Sequence, residues 1–152
     1  MSITLFVRKL DPRAILPQYH SDLAAGLDLT AILPEGQDAV TIEPGRIYMA
    51  RTGLAIAVPP GYEAQVRPRS GLASKSAITL PNSPGTIDAD YRGEVMVPLI
   101  NLGREPYRLT HGTRIAQMVI APIARVAIVE TQSLDETARG AGGFGSTGLV
   151  GR

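Results

Sequence analysis

The sequence contains no cysteine and no tryptophan. Without cysteine there is neither a disulfide framework nor a thiolate metal site, and nothing points to an oxidising compartment. Only two histidines occur, His20 and His111, too few and too isolated to argue for an imidazole metal site. The formal net charge is +1, which gives no general attraction for nucleic acid. Any anionic ligand must therefore be held by locally placed arginines. No apolar run approaches the roughly eighteen residues of a membrane-spanning helix. The opening MSITLFVRKL has too short an apolar run for a secretory signal peptide and lacks a small-residue cleavage site. A cytoplasmic location is the expectation.

What is present suits one domain. The chain has 152 residues, 44% of them hydrophobic, enough for a core without staples. Sixteen glycines and twelve prolines punctuate apolar, β-branched runs: ITLFVRKL, RIYMARTGLAIAV after the turn-like EPG at 43–45, YEAQVRP after PPG at 59–61, GEVMVPLINLG, and RIAQMVIAPIARVAIVE. Short strand-like runs at this spacing predict an all-β sandwich or jelly roll. Pro98 and Pro122 inside such runs predict edge positions or bulges. The single helix candidate is SGLASKSA at 70–77, with Ser70 as N-cap. After Glu130 apolar residues thin out. The expected division is a β domain over 1–130 and an extended C-terminal arm over 131–152, able to reach a neighbouring subunit.

Five stretches could carry chemistry. GAGGFGSTG at 140–148 contains a G-x-G-x-x-G spacing but has no helix after it, and a near-P-loop spacing without the lysine, so both phosphate fingerprints fail. Its backbone could still approach an anion, with Arg139, Ser146 and Thr147 as donors and Phe144 as a stacking face. A plain glycine-rich terminus is the alternative. RPRSGLAS at 67–74 puts Arg69 and Ser70 at a helix start, a phosphate site or an ordinary cap beside solvated arginines. PNSPGTIDADYRGEV at 81–95 reads as a wide hairpin loop between AITL and EVMVPLI. It concentrates Asn82, Asp88, Asp90, Tyr91 and Arg92. Asn pairs a donor with an acceptor for a base edge, and a carboxylate near phosphates can take a proton from water. Turn chemistry explains its Pro84 and Gly85, but not an Asp-x-x-Tyr where a strand begins. AAGLDLTA at 24–31 sets Asp28 between leucines, costly unless paired or turned outward. HGTRIAQMVI at 111–120 interrupts an apolar strand with Arg114 and Gln117, which simple alternation toward solvent would also produce.

In order, these segments resemble the five motifs of the trimeric dUTPases, most specifically in PRSGLA, GTIDADYRG, GTRIAQ and RGAGGFGSTG. Arg67, where the family often has a small residue, lies on variable ground. The resemblance implies a jelly-roll subunit assembling as a homotrimer, with active sites shared between subunits and closed by the C-terminal arm. It implies Mg²⁺-assisted hydrolysis of dUTP to dUMP and pyrophosphate, limiting uracil incorporation into DNA and supplying dUMP for dTMP synthesis. Asp88 would activate the water that attacks the α-phosphorus. Asn82, Thr86, Ile87 and Met96 would read uracil, and Tyr91 would pack on the deoxyribose. Arg69, Ser70, Gly71 and Gln117 would hold phosphates. Asp28 would meet the metal through water. Arg139, Phe144, Gly145, Ser146 and Thr147 would close over the nucleotide.

Two other functions compete. A dCTP deaminase resembles this family in fold, but needs a base at the pyrimidine C4, whereas TIDADYRG and GGFGSTG argue for hydrolysis. Against a non-catalytic nucleotide sensor or interaction protein built on the same trimer speak the intact Asp88 and the intact arm, which leave room for an added regulatory role.

Overall fold

A computed structural model describes residues 3–144. Ten strands and one helix follow the chain: β1 (Phe6–Lys9), β2 (Leu27–Thr30), β3 (Ala39–Ile42), β4 (Ile47–Ala57), β5 (Tyr62–Pro68), α1 (Ser70–Ser76), β6 (Ile78–Thr79), β7 (Gly85–Ile87), β8 (Glu94–Asn101), β9 (Tyr107–Thr110) and β10 (Arg114–Pro122). They form two four-stranded antiparallel sheets, ordered β1-β4-β8-β6 and β2-β10-β5-β7, with β3 and β9 as a separate pair. The expected β-sandwich is borne out. Among the described residues, no helix is long and apolar enough to cross a membrane.

The core follows from alternation. In β8 (EVMVPLIN), Val95, Val97 and Leu99 are buried while the residues between them face outward. They meet Leu29, Ala64, Val66 and Met118 of the other sheet in one hydrophobic cluster. The turns are legible too. Pro59-Pro60-Gly61 and Glu43-Pro44-Gly45 close with Tyr62 N–H to Pro59 O and Arg46 N–H to Glu43 O, and both glycines have positive φ, as turns with Gly third require.

A bulge in β4 shapes the site. Its pairing with β8 shifts register between Arg51 and Ala55. Gly53 sits there at φ +68, and a Cβ would meet the Ile32 Cδ1 at 2.7 Å. The missing ladder bonds are replaced by side chains: the Thr52 hydroxyl donates to Val95 O (2.6 Å), and Gly53 N–H donates to the Glu94 carboxylate (2.8 Å).

Pro98 takes an edge position, as expected: β8 runs between β4 and β6, but β6 pairs only with Ile100 and Asn101, so β8 is locally an edge at Pro98. Three expectations need correction. Ser70 is not the N-cap. Arg69 takes that position in extended conformation, no side chain caps the helix, and Ser70 is its first residue. The stretch 81–95 is not a simple hairpin loop. Its flanks pair as β6 and β8, but between them β7 crosses to the opposite sheet and pairs with β5. The last apolar run does not continue as a strand to Glu130. β10 ends at Pro122, Ile123 N–H donates to Gly61 O (2.9 Å), and the chain then leaves the sheet. Beyond it Val126, Ile128, Val129 and Leu134 are all exposed.

Candidate active site

The crossing of β7 opens a seam in the sandwich. β7 is the terminal strand of its sheet, and β8 lacks a partner on one side over most of its length. A cleft of about 340 Å³ occupies this seam. Asn82, Gly85, Thr86, Ile87, Asp88 and Tyr91 line it from the crossing segment, and Glu94, Met96 and Pro98 from β8. Two unpaired strand edges thus offer backbone donors and acceptors at fixed spacing. Apolar walls come from Val66, Leu80 and Val95. Such a mixture suits a flat, polar-edged ligand.

Two carboxylates line the cleft, and their surroundings separate them. Glu94 is committed to the bulge, accepting from Arg51 Nε (3.1 and 3.2 Å) as well as from Gly53 N–H. Asp88 is exposed and, among the described residues, forms no ion pair. Tyr91 folds back along the chain, its hydroxyl donating to Glu94 O at 3.0 Å.

A second group lies across β2, β10 and β5. Gln117 stands opposite Asp28 on one side and Arg67 on the other. Asp28, half-buried, accepts from Arg114 (2.9 Å) and lies 3.5 Å from Arg69 Nε and 3.4 Å from His20 Nε2. Arg69 also donates to Arg114 O (3.0 Å), and the Gln117 amide donates to Pro68 O (3.2 Å). This settles the cost of a carboxylate between leucines, because Asp28 is paired. The network also orients Arg69 just before Ser70 and Gly71, which open α1 and are exposed.

The proposed residues therefore fall into separate groups. Asn82, Thr86, Ile87, Asp88, Tyr91 and Met96 share the cleft; Asp28, Arg69 and Gln117 share the network. Among the described residues, no hydrogen bond or ion pair joins the two groups. Arg139 and Phe144 stand apart on the arm. The Arg139 Nε donates to Gly142 O (2.8 Å), and Phe144, at φ 48, is fully exposed. Gly145, Ser146 and Thr147 lie outside the described residues. Sequence reasoning missed Glu94, Arg51 and His20, and gave Arg114 no role. Only the strand register brings Arg114 and Asp28 together.

No group of three or more His, Cys, Asp or Glu side chains suited to a metal occurs among the described residues. This donor set fits Mg²⁺ bound largely by water and substrate phosphates, which needs only one or two protein carboxylates.

Comparison with known proteins points to a single family. The dUTPase family pattern matches residues 12–148. The chain is 54% identical over 151 residues to a Rickettsia bellii protein named deoxyuridine 5'-triphosphate nucleotidohydrolase, covering 98% of this chain and 99% of that protein. It is 53% identical to a protein of the same name from Methylocella silvestris, covering 97% and 93% respectively. Among solved structures, the dUTPase of Staphylococcus bacteriophage 80alpha with dUpNHpp superposes with a TM-score of 0.83 at 27% identity, over 96% of this chain and 99% of that one. A mutant dUTPase from phage phi11 of S. aureus, solved for its coordination of a structural Mg(II) ion, superposes with a TM-score of 0.75 at 25% identity, over 86% and 97%.

Proposed function

The chain belongs to the dUTPase family, and from that premise we propose that it hydrolyses dUTP to dUMP and pyrophosphate, with Asp88 directing the attacking water. The observation that carries this reading is the division of labour between the two cleft carboxylates. Glu94 is held by Arg51 and Gly53, which leaves Asp88 as the base. Asp88 takes a proton from water, the water oxygen bonds to the α-phosphorus, and the bond from that phosphorus to the bridging oxygen breaks, releasing pyrophosphate.

The other roles are those the family resemblance implies, and the geometry is compatible with them. Asn82, with main-chain groups at Thr86, Ile87 and Met96, reads the uracil edge. Cytosine would set donor against donor there, and each buried unpaired group costs ~1–3 kcal/mol. Tyr91 packs on the deoxyribose and leaves no room for a ribose hydroxyl. Arg69, Ser70, Gly71 and Gln117 hold the phosphates, with Arg69 braced by Asp28 and Arg114. Asp28 is the carboxylate that would reach Mg²⁺ through water. Mg²⁺ held there would supply charge neutralisation for the phosphates. Arg139, Phe144, Gly145, Ser146 and Thr147 close over the nucleotide. In metabolism the reaction limits uracil incorporation into DNA and supplies dUMP for dTMP synthesis, and the cytoplasm is the location proposed for it.

The working unit is a homotrimer. Two observations support it. Among the described residues, no hydrogen bond or ion pair joins the base-reading group directly to the phosphate-holding group, and sites assembled from different copies would unite them. The arm also exposes Val126 (78%), Ile128 (94%) and Val129 (81%), an apolar surface that a neighbouring copy would cover. Extended at ~3.3–3.6 Å per residue, the stretch from Ile123 to Phe144 could span roughly 75 Å.

The test is product analysis with dUTP, dTTP, dCTP and UTP in the presence of Mg²⁺. Pyrophosphate release confined to dUTP is expected. Ammonia from dCTP would replace this reading with deamination, and tight dUTP binding without pyrophosphate would replace it with sensing.

A further inference from the structure

Tyr91 occupies space that exists only because residue 93 has no side chain. A Cβ built on Gly93 would lie 2.6 Å from Tyr91 Cζ and 3.0 Å from Cε2, and closer still to the hydroxyl oxygen. Real Cβ atoms essentially never approach a neighbour below 3.0 Å. One of the two groups must give way. Gly93 is not among the positive-φ glycines, so its backbone is open to alanine without conformational strain. The obstacle is a surface ring, 46% exposed, with solvent on its outer side. A methyl at 93 would therefore displace Tyr91 rather than distort the fold. The hydrogen bond from Tyr91 to Glu94 O would go with it.

We propose that Gly93 is a positioning residue for sugar selection: it vacates the space in which the Tyr91 ring forms the wall that excludes a ribose 2'-hydroxyl. The proposal rests on the reading of Tyr91 given above. Related contacts occur where a Cβ on Gly26 would meet Gln117 Oε1 (2.7 Å) and one on Gly85 would meet Asn82 Nδ2 (3.0 Å). There the collision involves the end of a flexible amide. At Gly93 it involves the hydroxyl-bearing end of a rigid ring, whose Oη, Cζ and Cε2 are all met together, so the ring must move as a unit.

The experiment compares the wild type, Gly93→Ala, Tyr91→Ala and the double variant. It measures kcat/KM for pyrophosphate release from dUTP and from UTP, together with the unfolding midpoint. Gly93→Ala is expected to lower the dUTP/UTP ratio by about 10- to 100-fold, the range in which a single steric or hydroxyl feature discriminates, with the unfolding midpoint little changed. In the Tyr91→Ala background the same substitution should change nothing further. A Gly93→Ala protein that keeps the wild-type ratio would overturn the proposal. So would an equal loss in both backgrounds, or a failure to fold, because the backbone rather than Tyr91 would then bear the cost. If Tyr91→Ala itself leaves the ratio intact, the underlying reading of Tyr91 falls, and the proposal falls with it.

Discussion

Asp88 and Glu94 stand in one cleft, six positions apart in sequence, with opposite fates. Glu94 spends its oxygens on Arg51 and on the unpaired N–H of the β4 bulge, while Asp88 forms no ion pair among the described residues. That contrast is why the proposed base role falls on Asp88 rather than on Glu94. Asp88→Asn keeps the shape and removes the proton acceptor, so turnover should fall by ~10²–10⁴ while calorimetry still detects dUpNHpp binding. Near-normal turnover would remove Asp88 from that role. A different carboxylate is the one whose pKa is depressed. Hydrogen bonds from the Arg13 side chain and backbone hold the Asp11 carboxyl at about 2, below its ordinary 3.8. A depressed carboxylate pKa stabilises the fold above the unfolded value, and that contribution fades as pH falls from 3.8 through about 2. Asp11→Asn should thus lower the unfolding midpoint at neutral pH, and the difference from wild type should shrink to a small remainder by about pH 2. An undiminished deficit there would mean that its charge is not the source.

Among the elements, β5 was fully legible: YEAQVRP is bounded by a Pro-Gly turn and by the helix start, and the strand occupies those seven residues. Strands β3 and β9, four residues each, escaped because so short a run carries too little periodicity to stand out. The end of β10 was overrun because ARVAIVE continues the apolar, β-branched composition. What it lacks is a partner strand in the same chain, and composition does not register partners. The cleft residues were found through their motif, whereas the seam that holds them was not. That seam depends on β7 leaving one sheet for the other, which only long-range pairing decides. The arm is the element whose role depends least on the core. Its described part is exposed and held by local turns such as Gly140 N–H to Thr137 O. Deleting residues 139–152 should leave the rest folded and assembled, as read by sedimentation and thermal unfolding, yet remove most activity. A fully active truncation would show the arm to be dispensable.

At the scale of the whole molecule, the split between cleft and network is the feature that one chain does not resolve. Sites built from different copies would resolve it, and they make a mixing test possible. Asp88→Asn and Arg69→Ala proteins, each crippled alone, should recover activity when unfolded together and reassembled, because some sites then draw an intact cleft from one chain and an intact phosphate group from another. Strict additivity of the two residual activities would place each site within a single chain. The claim beneath all of this is that water attacks the α-phosphorus of dUTP. It is tested most directly by turnover in water enriched in heavy oxygen, followed by mass analysis of both products. The account predicts a single heavy oxygen in the dUMP phosphate and none in pyrophosphate. Label in the pyrophosphate, or no dUMP at all, would contradict it.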